Sequence, residues 1–127
     1  MAKTYKILLV EDEPDLVAIF SMKLISEGFE VIVATNGIEG VRAVKEGRPD
    51  LVFLDMYMPD MDGYTAIEKI RADKEVNGTL IYAWSNLTQK KEIEKAIAKG
   101  VDGYIIKTDY TPSLLVDKVR EILKIKK

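Results

Sequence analysis

Acidic and basic residues stand directly after three short apolar runs of this chain, where they could form a reactive cluster. Glu11 and Asp12 follow YKILLV, Asp55 follows LVFL, and Lys107 follows GYII. If the runs are parallel strands, these residues lie outside the carboxyl ends of the strands, where ligands bind in open α/β sheets. Three carboxylates repel one another unless a cation lies among them. The pattern therefore predicts a bound metal ion, with the lysine as a second positive charge.

Asp55 is the candidate for chemistry at this cluster. A carboxylate can attack phosphorus to give an aspartyl phosphate. Repulsion between two anions opposes that attack, and a metal ion that bridges the carboxylate and the phosphoryl oxygens would offset it. Glu11 and Asp12 could supply the remaining negative ligands, directly or through water. Lys107 could pair with one phosphoryl oxygen, and the hydroxyl of Ser85, which follows TLIYAW, could donate to another.

Each residue alone also has an ordinary structural explanation. Asp12 alone is best interpreted as a helix N-cap, Lys107 as a solvated lysine and Ser85 as a loop hydroxyl. Asp60 and Asp62 are interpreted as turn or cap residues, because proline and glycine beside them mark a loop. The functional interpretation is favoured for the others because reactive groups follow most of the predicted strands on one edge.

Composition narrows the class of protein. The 127 residues fit one domain over 1–127, and 47% hydrophobic with 31% charged residues is typical of a globular protein. The net charge of −2 gives no nucleic-acid footprint, so we expect no direct contact with nucleic acid. No apolar run approaches the length of a membrane span. We therefore expect no membrane association and a cytoplasmic location.

The absence of cysteine and histidine restricts the chemistry. Without cysteine, thiol nucleophiles and thiolate metal sites are excluded. Without histidine, the commonest general base is missing, and this chain cannot itself be a histidine kinase. Any metal ion must be held by oxygen atoms, which favours Mg²⁺, with Mn²⁺ as a substitute.

Strand and helix patterns alternate five times along the chain. Apolar runs predict strands at 5–10, 30–34, 51–54, 79–84 and 103–106. Residues that favour helix starts or stops separate these runs: Pro14, Gly28, Asn36, Gly47, Gly78, Gly100, Thr111 and Pro112. The alternation predicts parallel βαβ units with right-handed crossovers.

The chain resembles the receiver domain of bacterial two-component response regulators, of the CheY-like superfamily, from Tyr5 to Lys124. Its acidic pair after the first strand is similar to that family's metal-binding pair. The segment LVFLDMYMPDMDG is similar to the phosphorylation segment, which implies that Asp55 is the phosphoacceptor. Ser85 matches the hydroxyl position and Tyr104 the switch aromatic. Lys107 matches the family's lysine.

This resemblance implies the fold. We expect a flavodoxin-like (βα)5 three-layer sandwich with a five-stranded parallel sheet in the order 2-1-3-4-5.

It also implies a mechanism. A partner histidine kinase or His phosphotransfer protein would phosphorylate Asp55 in the presence of Mg²⁺, with Asp12, Asp55 and the backbone carbonyl of Tyr57 as direct ligands. Ser85 and Tyr104 would then shift inward together and change the surface of the fourth helix, fifth strand and fifth helix for a downstream protein target. The domain would be a monomer, or a dimer that forms on phosphorylation, and no enzyme beyond its own phosphorylation and dephosphorylation.

Some positions depart from the family pattern. Thr108 follows Lys107 where the family has proline, commonly after a cis bond. A cis bond before a non-proline residue costs ~2.5–4 kcal/mol, so either the bond is strained or the loop differs. Glu11 replaces the commoner aspartate. Asn86 stands where a small residue is usual, and we expect it to restrict access of water and to slow self-dephosphorylation.

Other functions are disfavoured. A Mg²⁺-dependent phosphohydrolase of the haloacid-dehalogenase type carries a second aspartate two residues after its nucleophile, and this chain has Tyr57 there. A flavodoxin-like cofactor carrier needs a phosphate loop after the first strand, where this chain has EDEPD. The chain is expected to be a complete single-domain regulator, with a receiver cut from a DNA-binding regulator or a hybrid kinase as the alternative.

Overall fold

The computed structural model describes residues 3–58 and 60–125, and strands alternate with helices throughout this part of the chain. The strands are β1 Lys6–Val10, β2 Glu30–Ala34, β3 Leu51–Asp55, β4 Leu80–Ser85 and β5 Gly103–Ile106. The helices are α1 Pro14–Ser26, α2 Gly37–Gly47, α3 Gly63–Ala72, α4 Lys90–Lys99 and α5 Pro112–Leu123. Residues 1–2 and 126–127 of the predicted domain, and Pro59 of the predicted phosphorylation segment, lie outside the described residues.

The strands form one parallel sheet in the order β2-β1-β3-β4-β5, which confirms the predicted topology. Every residue of β3 is buried, as a central strand covered by helices on both faces requires. The register aligns the strand ends at one edge: Val10 pairs with Leu54, Asp55 with Trp84, and Ser85 with Ile106. The residues that follow β1 and β5, and the last residues of β3 and β4, Asp55 and Ser85, are therefore neighbours in space.

Two apolar clusters cover the two faces of the sheet. One contains Val44 of α2, Ile67 of α3 and Ala96 of α4. The other contains Phe20 of α1 and Leu115 of α5. The three-layer arrangement is thus confirmed. None of the helices in residues 3–58 and 60–125 has the length and apolar character needed to cross a membrane.

Side-chain caps fix the starts of several helices. Asn36, Asp62 and Thr111 accept hydrogen bonds from the first turns of α2, α3 and α5. The cap interpretation of Asp62 is confirmed. For Asp12 it is wrong: the N-cap of α1 is Glu13, and its side chain makes no capping bond.

The third helix is shorter than its sequence predicts. It ends at Ala72, well before Gly78. Asp73 has extended backbone angles, and its carboxylate accepts a hydrogen bond at 3.0 Å from the backbone N–H of Glu75. This local bond favours a turn over a further helical turn.

Arg71, near the end of α3, joins the starts of β4 and β5. Its guanidinium donates to the carbonyl oxygens of Asn77 and Thr79 at 2.7 Å each and of Gly100 at 2.9 Å. It also pairs with the carboxylate of Asp102 at 3.0 Å. One side chain thus fixes the end of the sheet opposite the strand ends that carry the candidate site.

Gly63 lets the loop after β3 approach α3 closely. A Cβ atom at this position would lie 2.6 Å from Cα of Met56 and 2.8 Å from the carbonyl oxygen of Asp55. Real Cβ atoms do not come this close to backbone, so any side chain would displace the loop that follows Asp55.

We expect Gly63→Ala to lower the free energy of unfolding by about 1–3 kcal/mol, because the added methyl group overpacks backbone. Gly78→Ala is the control, since a Cβ atom there meets nothing within 4 Å. Its free energy of unfolding should stay within about 0.5 kcal/mol of wild type. Urea denaturation of the three proteins measures both values, and equal stabilities for the two variants would contradict the assigned contact.

Candidate functional site

Lys107 lies between two buried carboxylates at the carboxyl edge of the sheet. Its Nζ is 3.0 Å from Oδ2 of Asp55 and 2.5 Å from Oε1 of Glu11. The three side chains are 12%, 9% and 1% exposed, in the order Lys107, Asp55, Glu11. The structure therefore brings together three of the residues that the sequence singled out.

Glu11 is held by further donors. Its Oε1 also accepts a hydrogen bond at 3.0 Å from Nε1 of Trp84, and its Oε2 accepts one at 3.1 Å from the backbone N–H of Glu13. Trp84 was not among the residues that the sequence analysis singled out. The signal that could have found this contact is that a buried tryptophan N–H needs an acceptor.

The pKa values of the Glu11 and Asp55 carboxyl groups shift in opposite directions. Burial alone raises the pKa of Glu11, but its bonds from Lys107, Glu13 and Trp84 hold the pKa below its ordinary value. Burial raises the pKa of Asp55 above its ordinary value, although the backbone N–H of Tyr57 and Lys107 oppose the rise. The desolvated Asp55 carboxylate is thus under-compensated, which makes it the group that gains most from an added cation.

Burial also acts on Lys107. It lowers the pKa of the ammonium group, but the hydrogen bonds to Glu11 and Asp55 outweigh burial and raise the pKa above its ordinary value. The lysine is therefore firmly protonated.

Asp12 completes an oxygen-donor set. Carboxylate oxygens of Glu11, Asp12 and Asp55 lie within 4.8 Å of one another, with Asp12 on the exposed side. Such a set suits a hard divalent cation. Lys107 provides one positive charge for the two buried carboxylates, so the site keeps a net negative charge that a cation would neutralise. The residues fit Mg²⁺.

Ser85 and Tyr104 both contact the loop after β4. The buried Ser85 Oγ accepts a hydrogen bond at 3.1 Å from the backbone N–H of Leu87. The hydroxyl of the half-buried Tyr104 donates to the carbonyl oxygen of the same residue at 2.9 Å. A cleft of about 430 Å³ opens beside them. Its lining residues are Asp55, Tyr57, Ser85, Asn86, Leu87 and Lys107.

Tyr57 joins the site to α4 through a contact that the sequence did not indicate. Its hydroxyl and that of Tyr64 donate to the same oxygen of Glu92, at 2.8 and 2.9 Å. These bonds lower the pKa of Glu92. Nothing in the spacing of these residues could have paired them, because they lie on separate elements.

The loop after β5 differs from the family pattern and has no cis bond before Thr108. The Lys107–Thr108 peptide bond is trans, and Lys107–Asp109 form a short 3₁₀ turn. The backbone N–H of Thr108, which proline would lack, donates to Oδ1 of Asn86 at 3.0 Å. The loop thus differs from the proline-containing pattern, and Asn86 holds it.

The family model described as the response regulator receiver domain matches residues 7–120. This chain belongs to that family. It is a receiver domain of two-component systems, the class that its sequence resembles.

Known proteins agree with this assignment. The receiver domain is 34% identical over 119 residues to the DNA-binding response regulator MtrA of Mycolicibacterium smegmatis, covering 94% of this chain and 50% of the relative. It therefore spans about half the length of that curated relative.

Solved structures share the fold. The chemotaxis response regulator CheY4 of Vibrio cholerae superimposes with a TM-score of 0.86 at 24% identity, covering 94% of this chain and 99% of CheY4. The receiver domain of the sensor histidine kinase PA1611 from Pseudomonas aeruginosa PAO1 gives a TM-score of 0.83 at 28% identity, covering 94% and 97%. Its structure has a magnesium ion coordinated in the active-site cleft.

We expect Asp55→Asn to be more stable than wild type at pH 7 without divalent cations. The pKa of Asp55 is raised in the folded protein, so folding costs free energy once the carboxyl group ionises, and stability falls as pH rises from the ordinary value of 3.8. The unfolding midpoint of Asp55→Asn should exceed that of wild type by a few degrees, about 1 kcal/mol for a domain of this size. The advantage should vanish below pH 3.8. Thermal unfolding in chelator at several pH values measures it.

Asp50→Asn is a control of opposite sign. Burial raises the pKa of Asp50, but its bonds from Lys6 and Lys3 outweigh burial and lower the pKa. The Asp50 carboxylate therefore stabilises the fold above its ordinary pKa, and that contribution is lost as pH falls through the lowered value. Asp50→Asn should be less stable than wild type at pH 7. A loss of stability in Asp55→Asn as well would show that the charge balance is misassigned.

Proposed function

We propose that this receiver domain is a phospho-accepting switch in which Asp55 receives a phosphoryl group from a histidine kinase or a His phosphotransfer protein. The observation that supports it is the placement of Asp55: it ends the fully buried β3, lines the cleft, and lies 3.0 Å from Nζ of Lys107 with two more carboxylates beside it. A nucleophile, an ammonium group and an oxygen-donor set thus lie together at one site.

In the proposed transfer, a carboxylate oxygen of Asp55 attacks phosphorus. A P–O bond forms as the P–N bond to the donor histidine breaks, and the imidazole leaves with the electron pair and takes a proton from solvent. A Mg²⁺ or Mn²⁺ ion held by Asp12, Asp55 and the backbone carbonyl of Tyr57, with Glu11 bound through water, would neutralise charge on the phosphoryl oxygens. Lys107 exchanges its contact with Asp55 for a phosphoryl oxygen.

The proposed switch couples Ser85 to Tyr104 through Leu87. Ser85 donates its hydroxyl to a phosphoryl oxygen and so changes its contact with the N–H of Leu87. Because Tyr104 is bonded to the carbonyl of that same residue, the loop transmits the change to the aromatic side chain. The surface of α4, β5 and α5 then differs between the two states.

We expect wild-type protein to gain one phosphoryl group from a small phosphodonor such as acetyl phosphate with MgCl₂. Asp55→Asn should gain none, because the nucleophilic oxygen is lost. Asp12→Asn should gain little, because it keeps the nucleophile but loses a cation ligand. Asp117→Asn, an exposed aspartate of α5, is the control and should match wild type. Intact-mass measurement gives the number of phosphoryl groups gained by each of the four proteins.

Equal labelling of Asp55→Asn, or no labelling of wild type, would overturn the proposal. Chelation of the divalent cation should abolish labelling of wild type. Steady turnover of a generic phosphate ester would instead favour the phosphohydrolase alternative, which Tyr57 disfavours.

We further expect slow self-dephosphorylation that accelerates several-fold in Asn86→Ala. Asn86 lines the cleft and holds the backbone of Thr108, so its removal opens the phosphoryl group to water. The loss of label after removal of the phosphodonor measures the rate. Thr88→Ala is the control, because Thr88 is exposed in the same loop but does not line the cleft. A rate that rises little in Asn86→Ala would count against this role.

We propose that the output is a protein contact and that this domain binds no nucleic acid itself. MtrA is a DNA-binding regulator, and the present chain matches half of its length.

Both a single-domain regulator over 1–127 and the receiver of a longer regulator or hybrid kinase fit the mechanism. In either case the domain acts as a monomer or as a dimer that forms on phosphorylation, and it catalyses nothing beyond its own phosphorylation and dephosphorylation. We propose a cytoplasmic location for this domain.

A further inference from the structure

The only tryptophan of the chain contacts a carboxylate of the cation site. Trp84 is fully buried in β4, on the face of the sheet that α1 and α5 cover. Its ring packs edge-on against Phe20 at 5.0 Å and beside Phe53 at 5.9 Å between ring centroids. The indole is therefore immobilised by the core on one side and presents its N–H to Glu11 on the other.

The two donors on Oε1 of Glu11 differ in mobility. Lys107 reaches this oxygen with a flexible four-carbon stem, whereas Trp84 reaches it with a rigid ring packed in the core. When Lys107 exchanges Asp55 for a phosphoryl oxygen, as the proposed function requires, its ammonium group is shared between that oxygen and Glu11. The indole N–H then remains the fixed side-chain contact that holds the carboxylate.

We infer that Trp84 is a positioning residue for the cation site: its N–H orients the carboxylate of Glu11 toward the space between Asp12 and Asp55. This inference rests on the proposed function, since it assigns a role at the same site. Partners that hydrogen-bond to a metal-binding group and fix its orientation commonly change metal affinity 10- to 100-fold. The carboxylate of Glu11 touches the cation directly or through water, and Trp84 acts on the cation only through Glu11.

Trp84→Phe keeps most of the ring packing and removes the N–H. We expect its dissociation constant for Mg²⁺, measured by titration calorimetry with MgCl₂ alone, to rise roughly tenfold. Phe20→Leu is the matched control, because it disturbs the same aromatic cluster without touching Glu11, and its affinity should stay within about twofold of wild type. In a Glu11→Gln background, Trp84→Phe should have no further effect, as expected for residues that act as one unit.

A single tryptophan gives one indole N–H resonance in a ¹⁵N–¹H spectrum, and this signal reports the bond directly. It should move in Glu11→Gln without any Mg²⁺, because a charged acceptor is replaced by a neutral one. In wild type it should move on addition of MgCl₂ with the dissociation constant found by calorimetry. A merely structural tryptophan would show the first change, but its loss in Trp84→Phe would leave the Mg²⁺ affinity unchanged.

The outcomes separate this inference from the proposed function. If wild type binds no Mg²⁺, both fall. If wild type binds Mg²⁺ and Trp84→Phe binds it equally well, only the positioning role falls. Should Trp84→Phe not fold, the wild-type indole resonance decides, and an unchanged signal at saturating MgCl₂ overturns the inference.

Discussion

The structure of this edge of the sheet depends on one constraint: two buried carboxylates share one ammonium group. Removing such charges from water is costly, and the attraction inside the protein compensates only when the geometry is good and other donors satisfy the oxygens. Lys107 satisfies both Glu11 and Asp55, while Trp84 and backbone N–H groups take the remaining bonds. The residual negative charge of the site would be neutralised by a bound cation.

Much of this arrangement could be predicted from sequence because apolar runs mark parallel strands, while the strand order came from the resemblance to the receiver family. Apolar runs located the strands, and in a parallel sheet the residues after those runs must meet at one edge, as Asp55 and Lys107 do. Trp84 and Glu11 are 73 residues apart, and their contact depends on how one ring is rotated within the core. Glu92 accepts hydrogen bonds from Tyr57 and Tyr64 because of how α4, which carries Glu92, packs beside α3. The hydrophobic periodicity of the sequence specifies neither the rotation of the ring nor the position of the helix.

The departures from the family pattern compensate one another locally. Without proline after Lys107, the backbone of Thr108 gains an N–H, and this group donates to Asn86. The same residue borders the cleft. The absence of proline at position 108 removes a conformational restraint, but it also allows a hydrogen bond that links the loops after β4 and β5. Thr108 and Asn86 are therefore best understood as a pair.

The guanidinium of Arg71 gives the sheet two mechanically different ends. Four acceptors converge on it where β4 and β5 begin, whereas Ser85 and Lys107 lie at the opposite ends. Local opening free energies are high where contacts are dense and low where they are few. The ends of β4 and β5 that Arg71 fixes are therefore expected to open less readily than the opposite ends, which carry the site.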